Sequence, residues 1–217
     1  MLQHAPRAQI SGAVYHGGDD LSALMSEAFS RYALSNPLHP DLFPSVRNME
    51  SQVVAMTLSL FNAPAGAVGT TTSGGTESIL MAVRAFRQEA LRARGVTEPE
   101  LVVAATVHAA FDKAADYFRI RLVKVAVDPV TFRADTRAML AAANRNTIGF
   151  ACSAPCYPQG VIDDVTALAT GAKALGLPLH VDCCLGSFLI ACATEAGFSV
   201  PPFDFRVPVS HEYAVCL

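Results

Sequence analysis

Two glycines followed by hydroxyl residues, in TSGGTES at residues 72–78, are the first feature of this sequence that could bind a ligand. They stand between a short apolar run at 67–72 and the helical pattern ILMAVRAFRQEA. Glycines let backbone N–H groups approach an anion at a helix start, and Thr76 and Ser78 add hydroxyls there. The segment indicates a phosphate site, although a tight turn capped by Thr76 or Ser78 would use the same residues.

A histidine and a carboxylate follow two other apolar runs. His108 comes after the run at 101–106, and Asp182 ends the run in PLHVDCCLGSF, residues 178–188. A histidine in this place can pack through hydrogen bonds or face a ligand. A buried carboxylate needs a cationic partner, which an arginine or a protonated heterocycle could supply.

A phosphate site, a stacking histidine and a buried acid together suit one cofactor, pyridoxal 5′-phosphate (PLP). The acid would keep the pyridine nitrogen protonated and so strengthen the ring as an electron sink. Ser153 lies near the same crevice, in a proline-rich turn that can also be purely structural. His180 shares a strand face with Asp182, because alternate residues of a strand point to the same side, and we assign it a supporting role.

The elements that must position these residues alternate along the chain. We predict strands near 67–72, 101–106, 121–127, 147–152 and 178–183, with helices near 76–94, 109–118, 136–143 and 163–175. Two amphipathic helices precede them, over 19–34 and around Val46–Leu60. The alternation predicts an α/β fold with a mostly parallel sheet, in which ligands bind at the carboxyl ends of the strands.

Length, charge and cysteine usage narrow the class of protein. The chain has 217 residues, of which 52% are hydrophobic and 16% charged, and a net charge of −3 with scattered basic residues. This composition is typical of a globular protein and indicates no nucleic-acid partner. The six cysteines form no C-x-x-C pair and no apolar run approaches the ~18 residues that span a bilayer, so we expect a cytoplasmic chain without a membrane-spanning segment.

Motifs spread over the chain resemble one family. They are SGAVY (11–15), NPLHPD (36–41), TSGGTESILMA (72–82), HAAFDKAA (108–115), NRNT (144–147), LHVDCCLGSF (179–188) and PFDFRV (202–207). In this order they resemble the sphingosine-1-phosphate lyases of the pyridoxal-phosphate-dependent decarboxylase superfamily, which has the aspartate-aminotransferase type of fold. SGAVY and NPLHPD distinguish the pattern from glutamate and aromatic-amino-acid decarboxylases.

The resemblance implies a cofactor site, with no metal. Gly75 and Thr76 would hold the PLP phosphate, His108 would stack on the pyridine ring and take part in catalysis, and Asp182 would pair with the ring nitrogen.

It also implies a substrate site and a reaction. Tyr15, Asn36 and His39 would lie near the substrate's phosphate and reacting carbons, with Tyr15 and His39 catalytic. The family cleaves the C2–C3 bond of phosphorylated long-chain bases in sphingolipid catabolism, giving a fatty aldehyde and phosphoethanolamine. Its members act as homodimers, and the membrane-bound ones lie on the endoplasmic reticulum facing the cytosol.

One residue of that machinery has no counterpart in this sequence. The chemistry needs a lysine that holds the cofactor as a Schiff base, which the family carries shortly after the stretch corresponding to PFDFRV. The three lysines here, Lys113, Lys124 and Lys173, all precede Asp182, and we interpret them as surface charges. We therefore expect this polypeptide to be inactive alone.

The domain prediction has three parts. A helical segment with active-site loops covers 1–66, an incomplete PLP-binding large domain covers 67–207, and an atypical tail covers 208–217. Because no strand is predicted after 178–183, we expect an uncovered sheet edge there and, with it, poor solubility or dependence on a partner.

Other functions stay open at this point. The chain could be a non-catalytic fragment or paralogue that binds PLP weakly or pairs with a full-length lyase. An amino-acid decarboxylase would use the same phosphate site, histidine and aspartate. A dinucleotide-binding oxidoreductase fits the α/β pattern but would need a G-x-G-x-x-G fingerprint, which the sequence lacks.

Overall fold

The computed structural model describes residues 17–199 and the backbone of a strand at 213–216. Tyr15 and the rest of SGAVY lie outside these residues. The chain divides into two compact units, one ending at Ala55 and the other beginning at Met56. The predicted three-part division at 66 and 207 stays a prediction.

The first unit is helical. It contains α1 (Asp19–Tyr32) and the beginning of α2 (Pro44–Leu60), which ends in the second unit. Two aspartates in the first turn of α1 and a proline at the start of α2 are typical helix-start residues. Both predicted amphipathic helices are therefore confirmed, with α1 ending two residues before the predicted boundary.

The second unit contains five parallel strands in the spatial order β2-β1-β3-β4-β5. The strands are β1 (Glu100–Ala104), β2 (Arg121–Val125), β3 (Thr147–Ser153), β4 (Leu179–Asp182) and β5 (Tyr213–Cys216). The helices are α3 (Gly75–Arg94), α4 (Ala110–Phe118), α5 (Thr136–Ala141), α6 (Val165–Ala174) and α7 (Ser187–Ala193). The predicted α/β fold with a parallel sheet is confirmed.

Both faces of the sheet are covered, because alternate residues of the central strands enter two different cores. Leu101 and Val103 of β1 pack with α3 and α4, whereas Val102 and Ala104 pack with α5 and α6. All five residues of β1 are buried, which explains why the part after Glu100 reads as a continuous apolar run without alternation.

The predicted strand at 67–72 is wrong. These residues belong to no strand of the sheet, and Val68, their one large apolar side chain, is 89% exposed. The run is too poor in apolar residues to gain much free energy by entering a buried sheet.

The predicted uncovered edge is also wrong. β5 pairs in parallel with β4, with Tyr213 opposite Leu179 and Cys216 opposite Asp182. YAVC contains the β-branched and aromatic types that favour strands, although its departure from the family pattern led us to treat it as an atypical tail. The backbone groups on that side of β4 are therefore hydrogen-bonded.

None of the described helices is long and apolar enough to cross a bilayer.

A polar cluster closes the amino-terminal end of the sheet. The mostly buried carboxylate of Glu100 accepts hydrogen bonds from Arg121 Nε at 3.1 Å and from Asn144 Nδ2 at 2.8 Å. These bonds, that of Arg121 first, lower the pKa of Glu100 below its ordinary value. The cluster lies at the opposite end of the strands from Asp182, so we assign it a role in stabilising the fold.

We expect Glu100→Ala to lower the free energy of unfolding by about 1 kcal/mol, because the largely exposed side chains of Arg121 and Asn144 lose a charged hydrogen-bond acceptor. A carboxylate whose folded-state pKa is lowered stabilises the fold above its unfolded value, and that contribution is lost as the pH falls through the folded value. The difference between wild type and the variant should therefore shrink as the pH drops below 4.5. Urea unfolding at several pH values measures this, with Glu98→Ala as the exposed control. A constant difference down to low pH would contradict the assignment.

Candidate functional site

The turn before α3 is held in shape by its own side chains. The Thr72 and Ser78 hydroxyl oxygens lie 2.6 Å apart, and the Thr72 hydroxyl also donates to the Gly74 carbonyl at 3.1 Å. The Ser78 N–H donates to the same carbonyl at 3.1 Å. Because these bonds come from the protein itself, the turn needs no ligand to form.

A glutamate that sequence reasoning missed also holds this turn. The Ser73 N–H donates to Glu77 Oε2 at 2.6 Å. Hydrogen bonds from Ser73 lower the pKa of Glu77 below its ordinary value. An acidic residue in the first turn of a helix was the available signal, but it is also common in helices that bind nothing.

Asp182 lies at the carboxyl end of β4, as the sequence predicts. Its side chain is buried, with the residue 7% exposed, and Oδ1 accepts the Cys184 N–H at 3.0 Å. Burial raises the pKa of Asp182, while the Cys184 hydrogen bond and the His108 charge act in the opposite direction. Within residues 17–199, no lysine or arginine forms an ion pair with this carboxylate.

The tertiary structure brings the turn and the aspartate strand together. A Cβ atom placed on Gly75 would lie 3.2 Å from Cys184 Sγ, so the backbone of the turn rests directly against the residue that caps Asp182. A glycine at position 75 permits this approach. Thr76, the other residue assigned to the phosphate, is exposed beside it.

His108 follows β1 and lies close enough to Asp182 to influence its titration. Its Nδ1 accepts the Ala110 N–H at 3.0 Å, which orients the exposed ring at the start of α4. With Nδ1 accepting, the neutral ring carries its proton on Nε2. The structure therefore brings together the turn, His108 and Asp182 from three separate parts of the sequence.

His180 lies in the core. It is fully buried, and its ring packs edge-on to that of Phe111 with centroids 5.6 Å apart. The predicted supporting role thus corresponds to packing of α4 against β4.

Ser153 is likewise a structural residue. Its N–H donates to Asp163 Oδ2 at 2.9 Å, and Asp163 Oδ1 accepts the Ala134 N–H at 2.8 Å. Burial raises the pKa of Asp163 despite these bonds. Sequence reasoning missed Asp163, a second buried carboxylate, whose two backbone donors satisfy it internally.

Asn36 and His39 belong to the first unit, and both are exposed. Asn36 Oδ1 accepts the Leu38 N–H at 3.1 Å, and the His39 carbonyl accepts the N–H groups of Leu42 and Phe43. These bonds fold NPLHPD into a compact turn before α2, which leaves the His39 ring in solvent.

The three lysines are exposed, as the sequence predicts. Lys124 Nζ pairs with Asp112 Oδ1 at 2.6 Å, and Lys113 Nζ lies 5.6 Å from the Tyr117 ring centroid. Lys173 is in the last turn of α6.

Comparisons with known proteins agree on one family. The conserved domain of pyridoxal-dependent decarboxylases matches residues 4–211. Sphingosine-1-phosphate lyase of Saccharomyces cerevisiae is 50% identical over 202 residues, which cover 92% of this chain and 34% of the relative. The corresponding protein of Drosophila melanogaster is 47% identical over 199 residues, covering 92% and 36%.

Solved structures show the same relationship. A sphingosine-1-phosphate lyase of Burkholderia pseudomallei superposes with a TM-score of 0.87 at 36% identity, over 93% of this chain and 48% of that chain. A glutamate decarboxylase of Lactobacillus brevis shares the fold, with a TM-score of 0.72 at 21% identity over 88% and 45% of the two chains. The chain spans about a third of the length of the curated relatives it matches.

Proposed function

Because this chain belongs to the pyridoxal-dependent decarboxylase family, we propose that it binds PLP between the turn at 72–78 and the end of β4. The observation that most supports PLP binding is the environment of the Asp182 carboxylate. Its carboxylate is buried, receives one backbone hydrogen bond, and has no lysine or arginine beside it in the described part of the second unit. A protonated ring nitrogen would supply the missing cation.

The other cofactor-binding residues fit the same group. Gly75 and Thr76 would hold the phosphate at the start of α3, where N–H groups and the helix dipole favour an anion. His108 would stack on the ring, its orientation fixed by the Ala110 N–H. Asp182 would keep a proton on the ring nitrogen, and its burial would keep water from competing for that proton.

We propose that the reaction is carbon–carbon bond cleavage in a phosphorylated long-chain base, between C2 and C3. The bound cofactor would supply an electron sink for the electrons of the broken bond. Tyr15, Asn36 and His39 are assigned to the substrate's phosphate and reacting carbons. The products would be a fatty aldehyde and phosphoethanolamine, and the similarity to sphingosine-1-phosphate lyases supports this choice over amino-acid decarboxylation.

A homodimeric complete enzyme and a cytoplasmic setting are parts of the same proposal. The buried free cysteines Cys152 and Cys156 support the setting, since reduced thiols are typical of that compartment.

A second candidate, cofactor binding without catalysis, rests on the lysines. All three are exposed and Lys124 is engaged by Asp112, so none is an evident point of covalent attachment for the cofactor. In this form the 217-residue polypeptide would bind PLP reversibly and would release product only when paired with a complete lyase.

Titration of the purified polypeptide with PLP, followed by absorbance, tests the cofactor proposal. We expect saturable binding that inorganic phosphate competes for, because both ligands would occupy the same turn. After borohydride reduction, mass spectrometry should find no added cofactor mass. Absence of PLP binding would contradict the proposed function.

Incubation with a phosphorylated long-chain base separates the two candidates. Aldehyde and phosphoethanolamine release by the polypeptide alone would favour the lyase, whereas no release alone together with pull-down of a full-length lyase would favour the non-catalytic partner. Carbon dioxide release from glutamate or an aromatic amino acid would instead identify an amino-acid decarboxylase.

A further inference from the structure

We propose that Glu77 is a positioning residue of the phosphate site, acting through its hydrogen bond to the Ser73 N–H. This inference rests on the proposed cofactor site and deepens it. The Glu77 side chain would not touch the ligand itself. It would orient the backbone N–H groups that bind the ligand.

A hydrogen bond joins the two ends of the turn. Ser73 precedes the two glycines and Glu77 follows them. The 2.6 Å hydrogen bond between Ser73 and Glu77 therefore links the two sides of the glycine segment. Glycine has the widest conformational freedom of any residue, and Gly74 and Gly75 in sequence would otherwise give a mobile loop. A preorganised anion site needs its N–H groups fixed before the ligand arrives.

The hydroxyl pair of Thr72 and Ser78 provides a second closure, outside the first. The two closures differ in what they constrain. The hydroxyl pair joins the ends of the segment through side chains, whereas the carboxylate fixes the Ser73 peptide itself, next to the first glycine. Loss of the carboxylate should therefore loosen the peptide planes of 73–76 while the segment keeps its ends together.

The negative charge of Glu77 and its hydrogen bond to Ser73 have opposite effects on the binding of a phosphate. Its carboxylate would repel a phosphate at the same helix start, yet it holds the turn that would bind that phosphate. The neutral amide of glutamine can accept the Ser73 N–H without the repulsion, and alanine can do neither. The two substitutions therefore separate the effect of positioning on ligand affinity from the effect of charge. If Glu77 only capped the helix, the two variants would not differ in ligand affinity.

We expect Glu77→Ala to weaken the affinity for PLP and for inorganic phosphate by about three- to tenfold, the usual range for one hydrogen bond. Glu77→Gln should bind as tightly as wild type or more tightly. Isothermal titration with each ligand measures both. Glu89→Ala is the matched control, because Glu89 is a partly exposed glutamate of the same helix that pairs with Arg92 at 2.5 Å, away from the turn.

Hydrogen–deuterium exchange of the 72–78 amides, without ligand, gives the second readout. Exchange should be faster in Glu77→Ala than in wild type and unchanged in Glu77→Gln. Unchanged exchange in Glu77→Ala, or equal losses of affinity in both variants, would overturn the role of Glu77. Failure of the wild-type chain to bind either ligand would overturn the proposed function, while the exchange data would still report on Glu77.

Discussion

Replacing Asp182 by asparagine is expected to weaken PLP binding by about ten- to a hundredfold, the usual worth of a hydrogen bond between charged groups. The carboxylate would pair with a protonated ring nitrogen, and a neutral amide cannot supply that charge. If the amide oxygen accepts the Cys184 N–H, as Oδ1 does now, the amide N–H₂ group faces the ring nitrogen. That arrangement favours the unprotonated ring, which is the poorer electron sink.

The same substitution is expected to stabilise the protein without cofactor, by about 1 kcal/mol. Asparagine keeps the acceptor for Cys184 and removes a buried charge that lacks a lysine or arginine partner in the described second unit. Burial raises the folded-state pKa of Asp182 above 3.8. A carboxyl group with a raised pKa costs stability as the pH rises through that folded value, so the gain should appear above pH 3.8 and vanish below it.

Paired measurements on wild type and Asp182→Asn check both effects. PLP titration gives the affinity, and thermal unfolding across a range of pH gives the stability. Asp116→Asn, at an exposed aspartate of α4, is the control for removal of one negative charge. Lower stability in Asp182→Asn at neutral pH would show that the carboxylate already has a cation inside the protein, and the cofactor proposal would lose its main support.

Gly186→Ala is expected to lower the free energy of unfolding by about 3 kcal/mol, the upper part of the usual range for overpacking. A Cβ atom there would lie 2.2 Å from the Ala154 carbonyl oxygen and 2.6 Å from Pro155 Cδ. Backbone atoms cannot move aside as the end of a side chain can, so the loop from Asp182 to α7 would have to shift. The backbone N–H that caps Asp182 belongs to that loop.

Gly171→Ala is the matched control for this variant. Its Cβ would overlap Leu140 Cδ1 at 2.3 Å, which is the end of a flexible side chain, and alanine also favours the helix in which Gly171 lies. We expect a loss of about 1 kcal/mol or less. Urea unfolding of both variants measures the difference, and equal losses would contradict the distinction between backbone and side-chain contacts.

The helices α1 to α6 and the central strands could be predicted because their patterns are local, whereas α7 was not predicted. The helix after His108, α4, ends as predicted and begins one residue later, and β1, β2, β3 and β4 all lie within or next to the predicted runs. Periodicity and apolar runs report on burial directly. The residues at the carboxyl ends, Asp182 and His108, followed from the general rule that parallel strands present their ends on one side of the sheet.

The strand at the edge could not be predicted in the same way. β5 is only four residues long, and pairing with β4 across thirty intervening residues decides its state. The sequence at 67–72 also resembles an extended strand, yet it pairs with no strand of the sheet. Short segments take the conformation that their neighbours in space allow.

Sequence by itself determined the α/β class, the order of helices α1 to α6 and the chemical types available at the strand ends. Tertiary structure alone decided that Gly75 rests against Cys184, that His180 is a core residue and that Asp163 is satisfied internally while Asp182 keeps no lysine or arginine within residues 17–199. The reason is that residue type and periodicity fix what a segment can bury, whereas the partner of a buried polar group comes from a distant segment. Only the packed sheet sets those distances.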